Sequence, residues 1–336
     1  MTTAAKDTTR SNITRLVSSP GFRDFVRVYG LVIVMVLTTA VFGALEPSFL
    51  SVNNLINVVY QVAIIGIMAV CSTPAMIAGC LDISVGATVA LSGLAAKFAL
   101  EAAQAIGAPW PIALLAPLAV GVTVGLVNGV LVARFNLPPV VVTLGTMGMV
   151  RGTALIMGGG TLHLIRGPEQ FLFIGGGRPL GIPLPIIIFA VVFLALLFVE
   201  TRTTFGLTVK AVGQNLPAAR LSGLPITRTK LLVYVISGVG AAIAGIILCS
   251  QVHTAAAIYG QGYELDVIAA IVIGGTSLVG GIGSVRRSVL GALFIGEVNN
   301  GLAVLNVNSS LQLVAKGLVI LVAMALDNVL NRWARR

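Results

Sequence analysis

The chain has 336 residues, of which 57% are hydrophobic and only 10% charged, with a mean hydropathy of +1.02. A soluble domain carries about 25% charged residues, so this composition excludes most soluble proteins. The formal net charge of +10 does not indicate nucleic-acid binding, because the basic residues cluster between long apolar runs. Three cysteines without CxxC spacing and two histidines exclude a disulfide-stapled fold and a structural zinc module.

The first 27 residues are predicted to form a cytoplasmic tail that the protein keeps. They are mostly polar, and the apolar run that follows reaches Glu46-Pro47 without a small-residue cleavage site. An amphipathic stretch from Phe22 to Tyr29 could lie on the inner leaflet, while an unstructured tail fits these residues about equally well.

Apolar segments long enough to cross a bilayer follow one another from residue 28 to residue 330. A transmembrane helix needs about 20 apolar residues, so the predicted fold is all-α: a polytopic membrane bundle of about ten helices. The segments lie near residues 28–45, 54–73, 84–100, 110–133, 139–157, 184–200, 231–250, 265–281, 288–305 and 311–328. Residues 331–336 are predicted to form a short cytoplasmic tail.

The distribution of basic residues predicts the orientation of this bundle. With both termini inside, 16 of the 21 lysines and arginines fall on the cytoplasmic side, five of them in the loop 201–230. Cytoplasmic loops carry such an excess of positive charge. The chain is therefore predicted to be a multi-pass protein of a bacterial inner membrane, in contact with membrane lipid.

A faint internal repeat aligns the fourth predicted span with the ninth. Asn128-Gly129 is followed by Asn136, and Asn300-Gly301 is followed at the same distance by Asn308. A five-span unit used twice gives two inverted copies, a plan common among transporters. Chance similarity between apolar helices remains an alternative explanation.

Polar side chains inside the spans are candidates for a translocation pathway or for helix breaks. Asp82 lies between two apolar halves, where a helix cap and a direct substrate contact are both reasonable roles. The other candidates could equally bond a neighbouring helix. The full candidate set is Asp82, Ser84, Asn128, Thr143, Thr146, Ser237, Asn299 and Asn300.

The loop 201–230 contains a short helix with a start signal and a stop signal. Asn215 is a good N-cap, Pro217 is tolerated in the first turn, and Gly223 before Pro225 ends the helix. Small residues at Ala218 and Ala219 are expected on its surface, where a soluble partner could bind. An ordinary amphipathic connector is the other interpretation of this segment.

The loop motif and three others together resemble the permease subunits of ribose-type monosaccharide ABC importers, from about Leu45 to Asp327. The other three motifs are residues 77–86, 143–147 and 274–284, and one departure is Cys80, where a small residue such as glycine is expected. The resemblance implies a coupling helix that docks on an ABC ATPase subunit. Its residues would be Gly213, Asn215, Pro217, Ala218, Ala219, Arg220, Leu221, Ser222 and Gly223.

The same resemblance implies a second permease copy or paralogue and a periplasmic sugar-binding protein. No lysine follows a glycine in the sequence, so a Walker A loop is absent and ATP with its Mg²⁺ should bind the partner subunit. No catalytic residue, cofactor or metal is expected in this chain. Two alternative functions are an ion-coupled secondary transporter of a small polar solute and an integral-membrane enzyme. The first should have clustered intramembrane carboxylates, and the sequence shows none.

Overall fold

A computed structural model describes residues 20–308, 310–315 and 317–318. These residues form a helical bundle. Its helices are α1 Pro20–Leu45, α2 Val52–Ile77, α3 Val85–Ala105, α4 Leu115–Ala133, α5 Pro139–Gly158, α6 Glu169–Gly176, α7 Leu184–Arg202, α8 Thr204–Gln214, α9 Leu216–Leu221, α10 Ile226–Val252, α11 Tyr263–Ile273 and α12 Val285–Val304. Three 3₁₀ turns, Pro47–Leu50, Trp110–Leu114 and Pro179–Gly181, lie between them.

The all-α prediction is confirmed, and the strand content is limited to one small pairing in the described residues. β1 His163–Leu164 pairs antiparallel with β2 Thr254–Ala255. Within the described residues, six segments are long and apolar enough to cross a membrane by length and composition. They are Val52–Ile77, Val85–Ala105, Trp110–Ala133, Pro139–Gly158, Leu184–Arg202 and Ile226–Val252, and Tyr29–Leu45 is a shorter apolar helix.

The predicted count of ten spans is not confirmed, and the eighth span is wrong in detail. Residues 265–281 do not form one helix, because α11 ends at Ile273 and residues 274–284 form turns before α12 begins. Gly275, Gly280 and Gly281 have positive φ there, a conformation that ends helices. The tenth span is helical over 310–315 and 317–318, and its remainder lies outside the described residues, as do residues 1–19 and 331–336.

The core of the bundle is built around α10, which packs against α2, α3 and α4. The contact with α4 is the most extensive, and Gly121, Gly125 and Gly129, at intervals of four residues, face α10 there. A Cβ atom at Gly125 would lie 2.5 Å from the carbonyl oxygen of Tyr234. Small residues let transmembrane helices approach in this way.

Candidate functional site

The link between α2 and α3, residues 78–84, contains the candidate Asp82. The carboxylate accepts hydrogen bonds on both oxygens: Oδ1 from the backbone N–H of Ser84 at 3.0 Å and from its hydroxyl at 2.6 Å. Oδ2 accepts from the Ser237 hydroxyl of α10 at 2.7 Å. Asp82 therefore ties this break between two helices to the central helix of the bundle.

Two further helices join this carboxylate through Ser84. The Asn128 amide of α4 donates to the Ser84 hydroxyl oxygen at 2.9 Å, and the Thr146 hydroxyl of α5 donates to Asn128 Oδ1 at 2.7 Å. On the other side, Ser72 of α2 lies 3.0 Å from Ser237. Because Ser237 gives its proton to Asp82, Ser72 is the donor in that pair.

Every hydrogen bond in this Asp82 network points toward the carboxylate. None of its six residues is more than 5% exposed: Ser72, Asp82, Ser84, Asn128, Thr146 and Ser237. A buried polar network stabilises a fold when all its members are hydrogen-bonded. Because the donors here converge on Asp82, its carboxylate is the acceptor that the network needs. The network therefore connects four helices, α2, α4, α5 and α10, with the α2–α3 link.

The remaining pathway candidates lie outside the network. Thr143 donates to Pro139 O of its own helix at 3.0 Å and lies 3.4 Å from Leu81 O. Asn300 accepts from Asn54 at 2.9 Å, near the other end of α2. Asn299 Oδ1 is buried, and no hydrogen-bond partner for it occurs in the described part of the chain.

The predicted loop helix is present as α9, and both predicted end signals are confirmed. The Asn215 side chain accepts from the backbone N–H of Ala218 at 3.0 Å, and Gly223 has φ +71°. Two details of the prediction are wrong. Gly213 lies in the last turn of α8, and Ala219 is buried rather than on the surface, because α9 packs against α8. Ala218, Arg220 and Leu221 are exposed.

The end of α8 fits against two helix breaks at once. Gly213 touches the carbonyl oxygen of Ile77 at the end of α2, so no larger side chain fits there. The same carbonyl accepts from the N–H of Gly281 at 2.8 Å, and the Gln214 amide donates to Gly281 O at 3.3 Å. A displacement of the α8–α9 segment would therefore reach both the 78–84 link and the 274–284 turns.

The charged pair between α7 and α8 was not predicted from the sequence. Glu200, in the last turn of α7, forms an ion pair with Lys210 at 3.0 Å and accepts a hydrogen bond from Val285 N at 2.9 Å. A carboxylate at the end of an apolar span was the available signal, but its partners are 10 and 85 residues away. In the part of the chain that the structure describes, no group of three or more metal-ligating side chains occurs.

Comparison with known proteins gives consistent matches over most of the chain. Residues 54–324 match the family described as branched-chain amino acid transport system / permease component. The ribose import permease protein RbsC of Escherichia coli K12 is 38% identical over 300 residues, covering 88% of this chain and 92% of the relative.

Two further relatives extend this comparison to other bacteria and to another sugar. RbsC of Bacillus subtilis 168 is 40% identical over 300 residues, with coverages of 89% and 90%. The L-arabinose ABC transporter permease protein AraH of Azospirillum brasilense is 36% identical over 298 residues, with coverages of 89% and 86%. No solved structure matches the chain.

Proposed function

The chain belongs to this family of transport-system permease components, and from that premise we propose that it is the transmembrane subunit of an ABC importer for a monosaccharide or related polyol. The observation that carries the proposal is the alignment, over nearly the whole chain, with permeases named for ribose and for L-arabinose. The names of these relatives point to a sugar class and leave the individual sugar open.

The power source in this proposal is a separate ATPase subunit that binds ATP and Mg²⁺. The sequence lacks the Gly-Lys pair of a Walker A loop, and α9 offers that subunit a short helix with exposed side chains. A periplasmic binding protein would deliver the sugar, and a second permease copy or paralogue would complete the pathway. Adjacent genes for these partners would support the assignment.

The proposal includes an orientation in a bacterial inner membrane. The excess of basic residues in the loop 201–230 favours a cytoplasmic position for α8 and α9, with both chain termini on that side. This places α9 where a cytoplasmic ATPase can reach it. The repeated five-span plan stays a prediction beside this orientation.

The pathway residues divide into two groups under this proposal. The Asp82 network is buried and fully hydrogen-bonded, so its role would be to hold the helix break rather than to bind sugar. Thr143, Asn299 and Asn300 stay predicted contacts for sugar hydroxyls. Asn299 Oδ1, without a partner in the described residues, is the acceptor with unused capacity.

A variant of α9 tests the coupling role. Leu221 is 89% exposed next to Arg220, and an exposed leucine beside a cation suits an apolar pocket with an acidic rim. Arg220→Glu combined with Leu221→Asp should weaken ATPase binding at least about tenfold, because central interface residues carry most of the binding energy. Co-purification and surface plasmon resonance with the ATPase subunit measure this.

The matched control is Leu180→Asp. Leu180 is 99% exposed in the turn Pro179–Gly181, before α7, on the side predicted to be periplasmic. This variant should bind the ATPase as the wild type does. Equal binding by the α9 variant and the wild type would contradict the coupling role.

A further inference from the structure

Glu200 joins three helices through a single buried carboxylate. Its side chain is 7% exposed at the end of α7. One oxygen lies 3.0 Å from the Lys210 ammonium of α8, and the other accepts the hydrogen bond from Val285 N, the first residue of α12, at 2.9 Å. Each oxygen is thus used by a different helix.

Both contacts are electrostatically favourable. The first N–H groups of a helix have no partner within it, and a negative charge there also complements the helix dipole. Removing Glu200 would leave Val285 N–H unpaired in a buried position. Apolar side chains of Pro74, Ile77, Leu196, Phe205 and Val209 line the same small cavity as the pair.

Lys210 lies on α8, which leads directly into α9. It is three residues before Gly213, which contacts Ile77 O, and the chain enters α9 at Leu216. The side chain of Lys210 is 37% exposed, so the pair forms at the edge of the bundle and not in its centre. A displacement of α9 would change the position of Lys210 relative to Glu200.

We propose that the Glu200–Lys210 pair transmits movement of α9 to the N-terminus of α12 during the transport cycle. Glu200 is a positioning residue in this proposal: it touches no substrate, and it makes α12 follow the α8–α9 segment that the ATPase moves. The inference rests on the proposed function, since the ATPase supplies the movement. Val285 directly follows the 274–284 turns, so the moved segment is the second helix break of the bundle.

A second ion pair of the described residues provides a contrast. Lys97 and Glu101 lie 2.7 Å apart, four residues apart on α3. A pair within one helix cannot change its geometry when helices move against each other. It therefore serves as the matched control for the removal of a charged pair.

The test uses Glu200→Gln, Lys210→Met and the double variant in proteoliposomes with the ATPase subunit and the binding protein. The glutamine keeps an oxygen that can accept from Val285 N–H, and methionine keeps the length of the lysine stem. The readout is the number of ATP molecules hydrolysed per sugar imported, with D-ribose or L-arabinose as the sugar, whichever the wild type takes up. Thermal unfolding of each purified variant is measured beside it.

Each single variant should raise the ATP consumed per sugar about fivefold or more, the lower range of allosteric coupling. The double variant should be no worse than either single variant, because all three remove the same interaction. Glu101→Gln should couple like the wild type. A structural role alone would lower the unfolding temperature and leave the ratio unchanged.

Wild-type coupling in Lys210→Met would overturn the inference, and this variant stays informative even if Glu200→Gln folds poorly, because Lys210 is partly exposed. Failure of the proposed function is distinguishable: in that case the wild-type complex itself imports no sugar with ATP. A wild type that couples beside uncoupled pair variants supports the inference.

Discussion

Replacing Gly125 with leucine should destabilise the purified chain by about 3 kcal/mol or more, because overpacking a close helix contact forces the backbones apart. A Cβ atom at this position would lie 2.5 Å from Tyr234 O and 2.6 Å from Val235 Cα. Both are backbone atoms of α10 and cannot rotate away. Thermal unfolding in detergent, followed by the loss of monodisperse protein on gel filtration, measures the effect.

The matched control for this change is Gly148→Leu on α5. Gly148 is also inside a long apolar helix, but a Cβ atom there meets no heavy atom within 4 Å. Leucine has a higher intrinsic helix propensity than glycine, so this variant should unfold at or above the wild-type temperature. Equal unfolding temperatures for the two variants would contradict the close α4–α10 packing.

Asp82→Ala should have a comparably large effect, since it removes the acceptor on which the buried network converges. Three donors lose their partner: the backbone N–H and hydroxyl of Ser84 and the hydroxyl of Ser237. Each buried unpaired group costs about 1–3 kcal/mol, so the total should exceed about 3 kcal/mol. Stability and sugar uptake should therefore fall together in this variant.

Two comparisons distinguish a structural role of Asp82 from direct contact with the sugar. Asp82→Asn keeps one acceptor oxygen and should recover part of the stability. Thr143→Val loses a bond to its own helix at 3.0 Å and a long contact with Leu81 O at 3.4 Å, leaves the carboxylate in place, and should unfold close to the wild type. Uptake lost in Asp82→Ala at an unchanged unfolding temperature would mean that this carboxylate contacts the substrate instead.

The sequence was sufficient to predict most of the spans and the ends of α9. Long apolar runs between charged segments match the helices from α2 to α5, because helix length in a bilayer follows directly from hydrophobicity. The caps of α9 follow from local chemistry, since Asn215 bonds a group three residues away. Local signals of this kind need no knowledge of the tertiary fold.

The eighth span shows where hydropathy fails. Residues 274–284 are apolar enough to continue α11, but Gly275, Gly280 and Gly281 adopt positive φ. Gly280 and Gly281 also pack tightly against neighbouring backbone. A glycine-rich apolar stretch is compatible with both a helix and a turn in protein surroundings. The turn makes long-range contacts that hydropathy does not contain, such as the hydrogen bond from Gly281 N–H to Ile77 O, more than 200 residues away.

The sequence predicts which polar residues are candidates, but not which of them bond to one another, because the partners are far apart in the chain. Asp82 and Ser237 are 155 residues apart in the chain, so no spacing could assign one to the other. The same holds for Glu200 and Val285, separated by 85 residues. Ala219 was predicted to be a surface residue because its small size suits a docking face, whereas it is buried in the structure.

The central claim is that this chain imports a sugar with energy from ATP hydrolysis. The most direct test is uptake of D-ribose or of L-arabinose, each offered alone, into proteoliposomes that contain the chain and its ATPase subunit, with the binding protein outside, ATP inside, and ionophores present to abolish ion gradients. The account predicts uptake that requires both ATP and the ATPase subunit. Uptake by the chain alone, driven by an ion gradient and independent of ATP, would contradict it.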